Sequence, residues 1–306
     1  MREKLLRSLG GILCVALLCT SIFTGCSNNK EKKERQTAAP TSTPMESPED
    51  KSSNLGAWTR AMGSVLIELN EGNPYIFGGY EKTEDNKAGA VKILQSSWNI
   101  SSKKALLQQI QNLLKSGDRV AYQVEAKDMA AMPKNKLKTA MKQLSGDLLI
   151  HYQLVQYHWK TWEKKGLLAW DMCRISHLAQ WGYIADYLTL EEAQAVMEPA
   201  IMKIKENFTS WDEVQNNWLD GYCLFAGIDR EAANTDYTVR KALYEELKSE
   251  QNEKAPLYDD NLFQQSLTVL PNISYKTVMR ENLSSPKPTE PTKSKKKAKS
   301  TPKPER

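Results

Sequence analysis

The residues best suited to chemistry lie in one short stretch. Asp171 and Arg174 are three apart, a spacing that puts them on one face of a helix, with Leu178 and Trp181 following on the same stripe. A guanidinium oriented by a carboxylate and walled by Trp170, Trp181 and Trp211 is an anion-binding fork. The same pair is equally a structural ion pair closing the edge of an aromatic core, because paired charges on helices are commonly structural. His177 lies in the same segment without an identifiable nucleophile beside it in the sequence, so a proton-transfer role would depend on geometry.

Other chemistries have less to stand on. His151 and His158 are seven apart and share a helix face, but there is no helical His pair at i,i+4 and no H-E-x-x-H pattern, and Cys173 and Cys223 lack zinc spacing. Phe77-Gly78-Gly79 lacks the Lys-Ser/Thr of a phosphate loop and reads as a turn, and no G-x-S-x-G elbow is present. Asp212 and Glu213 fall in the first turn of a helix, where carboxylates are stabilised by the dipole and the cap. No catalytic residue, metal site or cofactor is therefore nominated, and the reading leans away from an enzyme.

The elements that must position these residues are helical. Trp58, Met62, Val65, Leu66 and Leu69 repeat at helical spacing, as do Leu106, Ile110, Leu113 and Leu114 before Gly117, a C-terminal stop. Leu137 to Trp162 reads as one long amphipathic helix bent at Gly146, and a further helix is expected from Leu167 to Trp181. Thr189 with Glu192 and Ser210 with Glu213 form capping boxes that start helices over Leu190–Phe208, kinked at Pro199, and Trp211–Phe225. Ala121 to Val124 is the one candidate strand. The fold class is mainly α, a single compact helical domain.

Composition bounds that domain. Of the 306 residues, 24 of the 25 aromatics lie between Ala57 and Tyr275, which places the foldable part at residues 56–283. Residues 1–25 carry a net +2 and residues 284–306 a net +6, leaving −3 for the stretch between them out of a total of +5. A mildly acidic domain offers no nucleic-acid surface, since phosphate binding needs concentrated basic residues on the folded part.

The N-terminus adds a location. Arg2, Lys4 and Arg7 precede an apolar run from Leu9 to Phe23, followed by Thr24-Gly25-Cys26, and the run falls short of the ~20 residues that span a bilayer. This resembles a bacterial lipobox, which implies a signal peptide over residues 1–25 and lipid, such as palmitate, on Cys26. The mature chain would then be held at the cell membrane on its extracytoplasmic side. Residues 26–55, polar and rich in Thr, Pro and Lys, should form a flexible tether, and residues 284–306, with Lys293 to Lys299, a disordered basic tail able to touch anionic lipid or wall polymer. Once Cys14 and Cys19 leave with the signal, Cys173 and Cys223 remain, either as a disulfide or as two buried thiols.

Trp170, Asp171, Arg174, Trp181, Gly182, Tyr183 and Tyr187, continuing through Trp211-Asp212-Glu213 to Asn217-Trp218 and Gly221, resemble the core signature of a bacterial family known as domain of unknown function 1266. Leu94 to Ser101 and Trp58 to Asn70 look like its weaker upstream blocks. Asp186 and Asp220 depart from the pattern, which has small or uncharged residues there. The resemblance implies a fold but no activity, and leaves Trp170, Asp171, Arg174, Trp181, Tyr183, Tyr187, Trp211 and Trp218 as the candidate binding or structural positions. The expected function is an envelope binding or interaction module whose partner is an envelope protein or anionic polymer. The alternatives are a receptor for a small anion or a hydrolase or transferase of unrecognised type.

Overall fold

A computed structural model describes residues 47–249 and 256–283, apart from residue 50. The signal, lipobox, most of the tether and the basic tail lie outside the described residues, so those expectations are not addressed by the fold. All regular structure among the described residues is helical. In chain order the α-helices are α1 Leu55–Leu69, α2 Glu84–Trp98, α3 Lys103–Lys115, α4 Gly117–Ala131, α5 Lys134–Met141, α6 Gly146–Trp162, α7 Leu168–Ile184, α8 Leu190–Ala195, α9 Glu198–Asn207, α10 Trp211–Ala226, α11 Asp236–Ser249, α12 Asp260–Gln264 and α13 Tyr275–Leu283. None of the described helices is long and apolar enough to cross a membrane.

Helix α7 is the axis of the molecule. Every residue from Leu168 to Ile184 is buried except Tyr183, and α1, α2, α3, α4, α8, α9 and α10 all pack around it. A helix enclosed on all sides needs apolar residues around its whole circumference, and α7 supplies them with Met172, Ile175, Leu178, Ala179 and Ile184. It also needs neighbours that come close. Gly221 of α10 meets this demand, because a Cβ there would stand 2.4 Å from Cβ of Trp170. The Asn217 side chain, one turn before Gly221, accepts from the Ala169 N–H at 2.8 Å and donates to the Gly166 carbonyl at 2.7 Å, so α10 also caps the start of α7.

Several expected boundaries move for local reasons. Leu137 to Trp162 is two helices, since Gly146 takes φ +56 and restarts the chain as α6. Leu190 to Phe208 is likewise two: α8 begins with the full Thr189–Glu192 capping box, and Pro199 sits in the first turn of α9, where its missing N–H costs nothing. Ser210 caps α10 as expected, but the Glu213 carboxylate reaches the Thr209 N–H and not that of Ser210. Ala121 to Val124 is helical, inside α4. Gly117 follows the end of α3 as expected, and with φ +56 it turns the chain directly into α4.

Candidate functional site

Asp171 is fully buried, and its carboxylate is occupied by four donors. Two are the Asp118 and Arg119 backbone N–H groups at 3.0 and 3.2 Å, the exposed donors at the start of α4. The others are Nη1 of Arg119 at 2.7 Å and Nη2 of Arg174 at 2.6 Å. Arg119 simultaneously donates to the Leu113 and Leu114 carbonyls at 2.5 and 2.7 Å, at the end of α3. One carboxylate and one guanidinium thus satisfy both helix ends of the α3–α4 corner and tie them to α7. Gly117 is the residue this demands: a Cβ at that position would lie 2.1 Å from Oδ2 of Asp171. Burial pushes the Asp171 carboxyl above its usual range, and the two guanidiniums oppose that push.

Arg174 continues outward from this corner. Its Nη2 also lies 3.0 Å from Asp118, which in turn accepts from Nε1 of Trp170 at 2.9 Å, while its Nε is buried without an acceptor. The guanidinium stacks 4.7 Å from the Trp170 ring and 5.7 Å from that of Trp98. Trp170 meets Tyr222 at 6.3 Å and Phe225 at 5.4 Å, and Arg240 caps Tyr222 at 3.8 Å. The result is a run of stacked rings and guanidiniums, from Trp98 through Arg174, Trp170 and Tyr222 to Arg240, with Phe225 57% exposed at its edge.

Only one of the three predicted walls of Arg174 is therefore a neighbour in this stack. Trp181 packs one turn further along α7, 5.8 Å from the His177 ring, with Trp218 on the same histidine at 6.3 Å. Trp211 belongs to a separate cluster with Trp58 at 4.6 Å and Phe263 at 5.1 Å, and its Nε1 donates to the Asp259 carbonyl. Tyr183 and Tyr187 lie at the far end of α7, where they line a cavity. Asp212 accepts from Tyr244 and Lys248, and Glu213 pairs with Lys165, so both are tied into the surface of α10.

A second buried carboxylate is Asp220 on α10. It accepts from Nε1 of Trp162 at 2.7 Å and pairs with Nε of Arg230 at 2.8 Å, a contact that is close but not aligned as a hydrogen bond. The Arg230 guanidinium lies 4.1 Å from the Tyr157 ring and donates to the Tyr237 hydroxyl. His158 stands 3.9 Å away, fully buried, with neither ring nitrogen partnered. Burial lifts Asp220 to about 6 against the pull of Arg230, and lowers His158 to about 3, helped by Arg230. His177 is lowered to about 3 for the same first reason, with Arg174 and Arg240 adding to it. His151, by contrast, bonds Glu125 at 3.0 Å, so the two histidines of α6 do not share a site. Among the described residues no group of three or more His, Cys, Asp and Glu side chains is placed to hold a metal ion. Cys173 and Cys223 are separate buried thiols.

A family model described as protein of unknown function (DUF1266) matches residues 93–258, more than half of the chain, and spans the Asp171 corner, the Arg174 stack and the Asp220 group. The chain belongs to the DUF1266 family. The match starts at residue 93, so α1 stands outside it although α1 packs directly on α7, and it runs past Tyr244 to residue 258, further than the sequence motifs reach. No curated protein and no solved structure matches the chain.

In this DUF1266 protein the partners of Asp171 at the start of α4 were the part sequence reasoning missed. Gly117, Asp118 and Arg119 lie more than fifty residues upstream, and a Gly-Asp-Arg triplet at a helix junction was the only local signal. The Asp220, Arg230 and His158 group had less: Asp220 was visible only as a departure from the family pattern.

Proposed function

We propose that this protein is a membrane-anchored lipoprotein of the cell envelope whose DUF1266 domain binds an envelope protein through the face centred on Arg174. The observation that supports this is the stack of rings and guanidiniums itself. Tryptophan, tyrosine and arginine are the side chains that dominate protein interfaces, and here they stand together around a half-exposed Phe225. Arg240 lies over the Tyr222 ring and donates from Nη1 to the Asp236 carbonyl at 3.1 Å. The face therefore sets guanidiniums beside exposed apolar surface, which suits a partner offering carbonyl or carboxylate oxygen around a small apolar contact.

The test is crosslinking and affinity capture of the full chain from detergent-solubilised envelopes, beside Phe225→Ser and Arg174→Ala. Phe225 is exposed enough for its substitution to leave folding intact. A discrete protein captured by the parent and lost by a folded Phe225→Ser supports the reading, and equal capture by that variant refutes it. A wall polymer recovered in place of a protein would keep the face and change the partner class. The anchor is tested apart from this. Cys26→Ser should abolish labelling by fatty acid and release the protein from membranes, and persistent tight association would mean that the apolar N-terminal segment is retained.

A further inference from the structure

The far end of α7 holds a cavity of about 510 Å³, within the ~300–1,000 Å³ typical of small-ligand sites. Its walls bring together Lys82 before α2, Lys103 at the start of α3, Tyr183 and Asp186 at the end of α7, and Glu192 of α8. Asp186 is held outward by a φ of +58, a conformation aspartate tolerates better than most residues, while the Tyr187 and Leu188 N–H groups close back on the Gly182 carbonyl. Its two oxygens take different lysines, Oδ1 pairing with Lys82 and Oδ2 with Lys87 at 2.8 Å. Lys103 donates to both oxygens of Glu192, at 2.5 and 2.7 Å, and Glu192 also accepts from the Thr189 N–H.

The pairs here leave donors in hand. Lys82, Lys87 and Lys103 pair with Asp186 and Glu192, with Glu84 also acting on Lys87, and these contacts use one or two of the three donors on each ammonium. Lys82 turns to the face of Tyr183, 4.5 Å from the ring centre. All the cations are lysines, which act as separate point charges and suit a tetrahedral oxyanion approached from several sides, whereas a planar carboxylate is better matched by a guanidinium fork. Their exposure, 33–38% of each side chain, leaves them free to turn from one acceptor to another.

We infer that this cavity binds a phosphate group, with Lys82 and Lys103 as its direct ligands and Lys87 completing the charge. The location bears on where that phosphate comes from. The chain enters the domain through the ion pair of Glu49 with Arg60, beside Gly56, where Gln194 of α8 also packs, and the last described helix, α13, rests on α3 and α8. Both ends of the folded part therefore lie at the α8 side of the molecule. Resting on the lipid-anchor reading, the domain is tethered to a membrane, and a phospholipid headgroup and a soluble phosphate ester are the two sources of the same chemistry.

The test uses the purified full chain in neutral detergent. Titration calorimetry with inorganic phosphate, against chloride at matched ionic strength, should show saturable binding to one site. Lys82→Gln and Lys103→Gln should each weaken it roughly tenfold, the loss of one charge-assisted hydrogen bond, while Lys92→Gln on the outer face of α2 leaves it unchanged. Absence of saturable binding, or equal binding by the Lys82 and Lys103 variants, overturns the inference. Micelles doped with phosphatidylglycerol separate the sources: competition with phosphate in the parent chain supports a headgroup, and no competition supports a soluble ester. Unlipidated Cys26→Ser protein should bind inorganic phosphate as the parent does, so failure of the anchor and failure of the cavity are read independently.

Discussion

The two ends of α7 each set an aspartate between two cations, for opposite purposes. At the N-terminal end, Asp171 is fully buried and both of its oxygens are held by backbone N–H groups and two guanidiniums. At the C-terminal end, Asp186 carries two lysines while its side chain stays 45% exposed. An ion pair withdrawn from water repays its desolvation only if every remaining donor and acceptor is met, which makes it rigid and costly to break. A solvated pair is worth little and is readily exchanged for another partner. Burial, more than the identity of the charges, separates a fixed structural joint from a surface free to bind.

The comparison breaks first at Asp171. Asp171→Ala leaves Arg119 buried without its counter-ion and opens the start of α4, and should cost about 3–5 kcal/mol, the usual penalty for removing one partner of a buried pair. Urea denaturation measures it. A loss below about 1 kcal/mol would place Asp171 with the surface pairs and undo the distinction between the two ends.

Acid should sharpen the same contrast. His158 and His177 have folded-state values near 3, well below the ~6.5 of an unfolded histidine, so both stay neutral in the native state. Their stability contribution is complete above pH 6.5 and is lost as pH falls from there toward 3, because only the unfolded chain takes up the protons. At pH 5 each costs about 2 kcal/mol by that linkage. Asp220 runs the other way: its folded value near 6 lies above the unfolded one, so protonating it as pH falls from 6 toward 4 returns about 1 kcal/mol by pH 5. The net loss between pH 7.5 and pH 5 is roughly 2–3 kcal/mol from these three groups. His177→Leu should remove about 2 kcal/mol of that pH dependence, and an unchanged slope would mean that His177 is reached by water.

How much of this could be read from sequence follows the reach of each signal. Helix class, the cap at Thr189 and the length of α10 are set within a few residues, by spacing and by a hydroxyl three positions before a carboxylate, and they are found where expected. The breaks at Gly146 and after α8 are also local, but a glycine or proline permits either a bend or a new helix, and the packing of the flanking segments decides which. The pairing of Asp171 with Arg174 was legible because it spans one helical turn. Its pairing with Arg119 was not, because 52 residues separate them and only the α3–α4 corner brings them together. Trp211 shows the converse: an aromatic grouped with Arg174 in the signature lies instead with Trp58 and Phe263, at the other end of α10 from the stack.

The smallest effect is the most demanding check on the comparison. Lys103→Gln removes the bidentate partner of Glu192, yet Glu192 still closes the capping box with the Thr189 N–H, and the lysine is a third exposed. Stability should therefore change by no more than about 0.5 kcal/mol. Phosphate affinity is expected to fall tenfold in the same variant, so thermal unfolding measured with and without phosphate separates the two quantities in one protein. A large loss of stability without phosphate would mean that this end of α7 is built like the other, with its lysines fixed as joints between helices and unavailable to a ligand. Small loss together with a vanished phosphate response would leave the two ends as distinct as their burial implies.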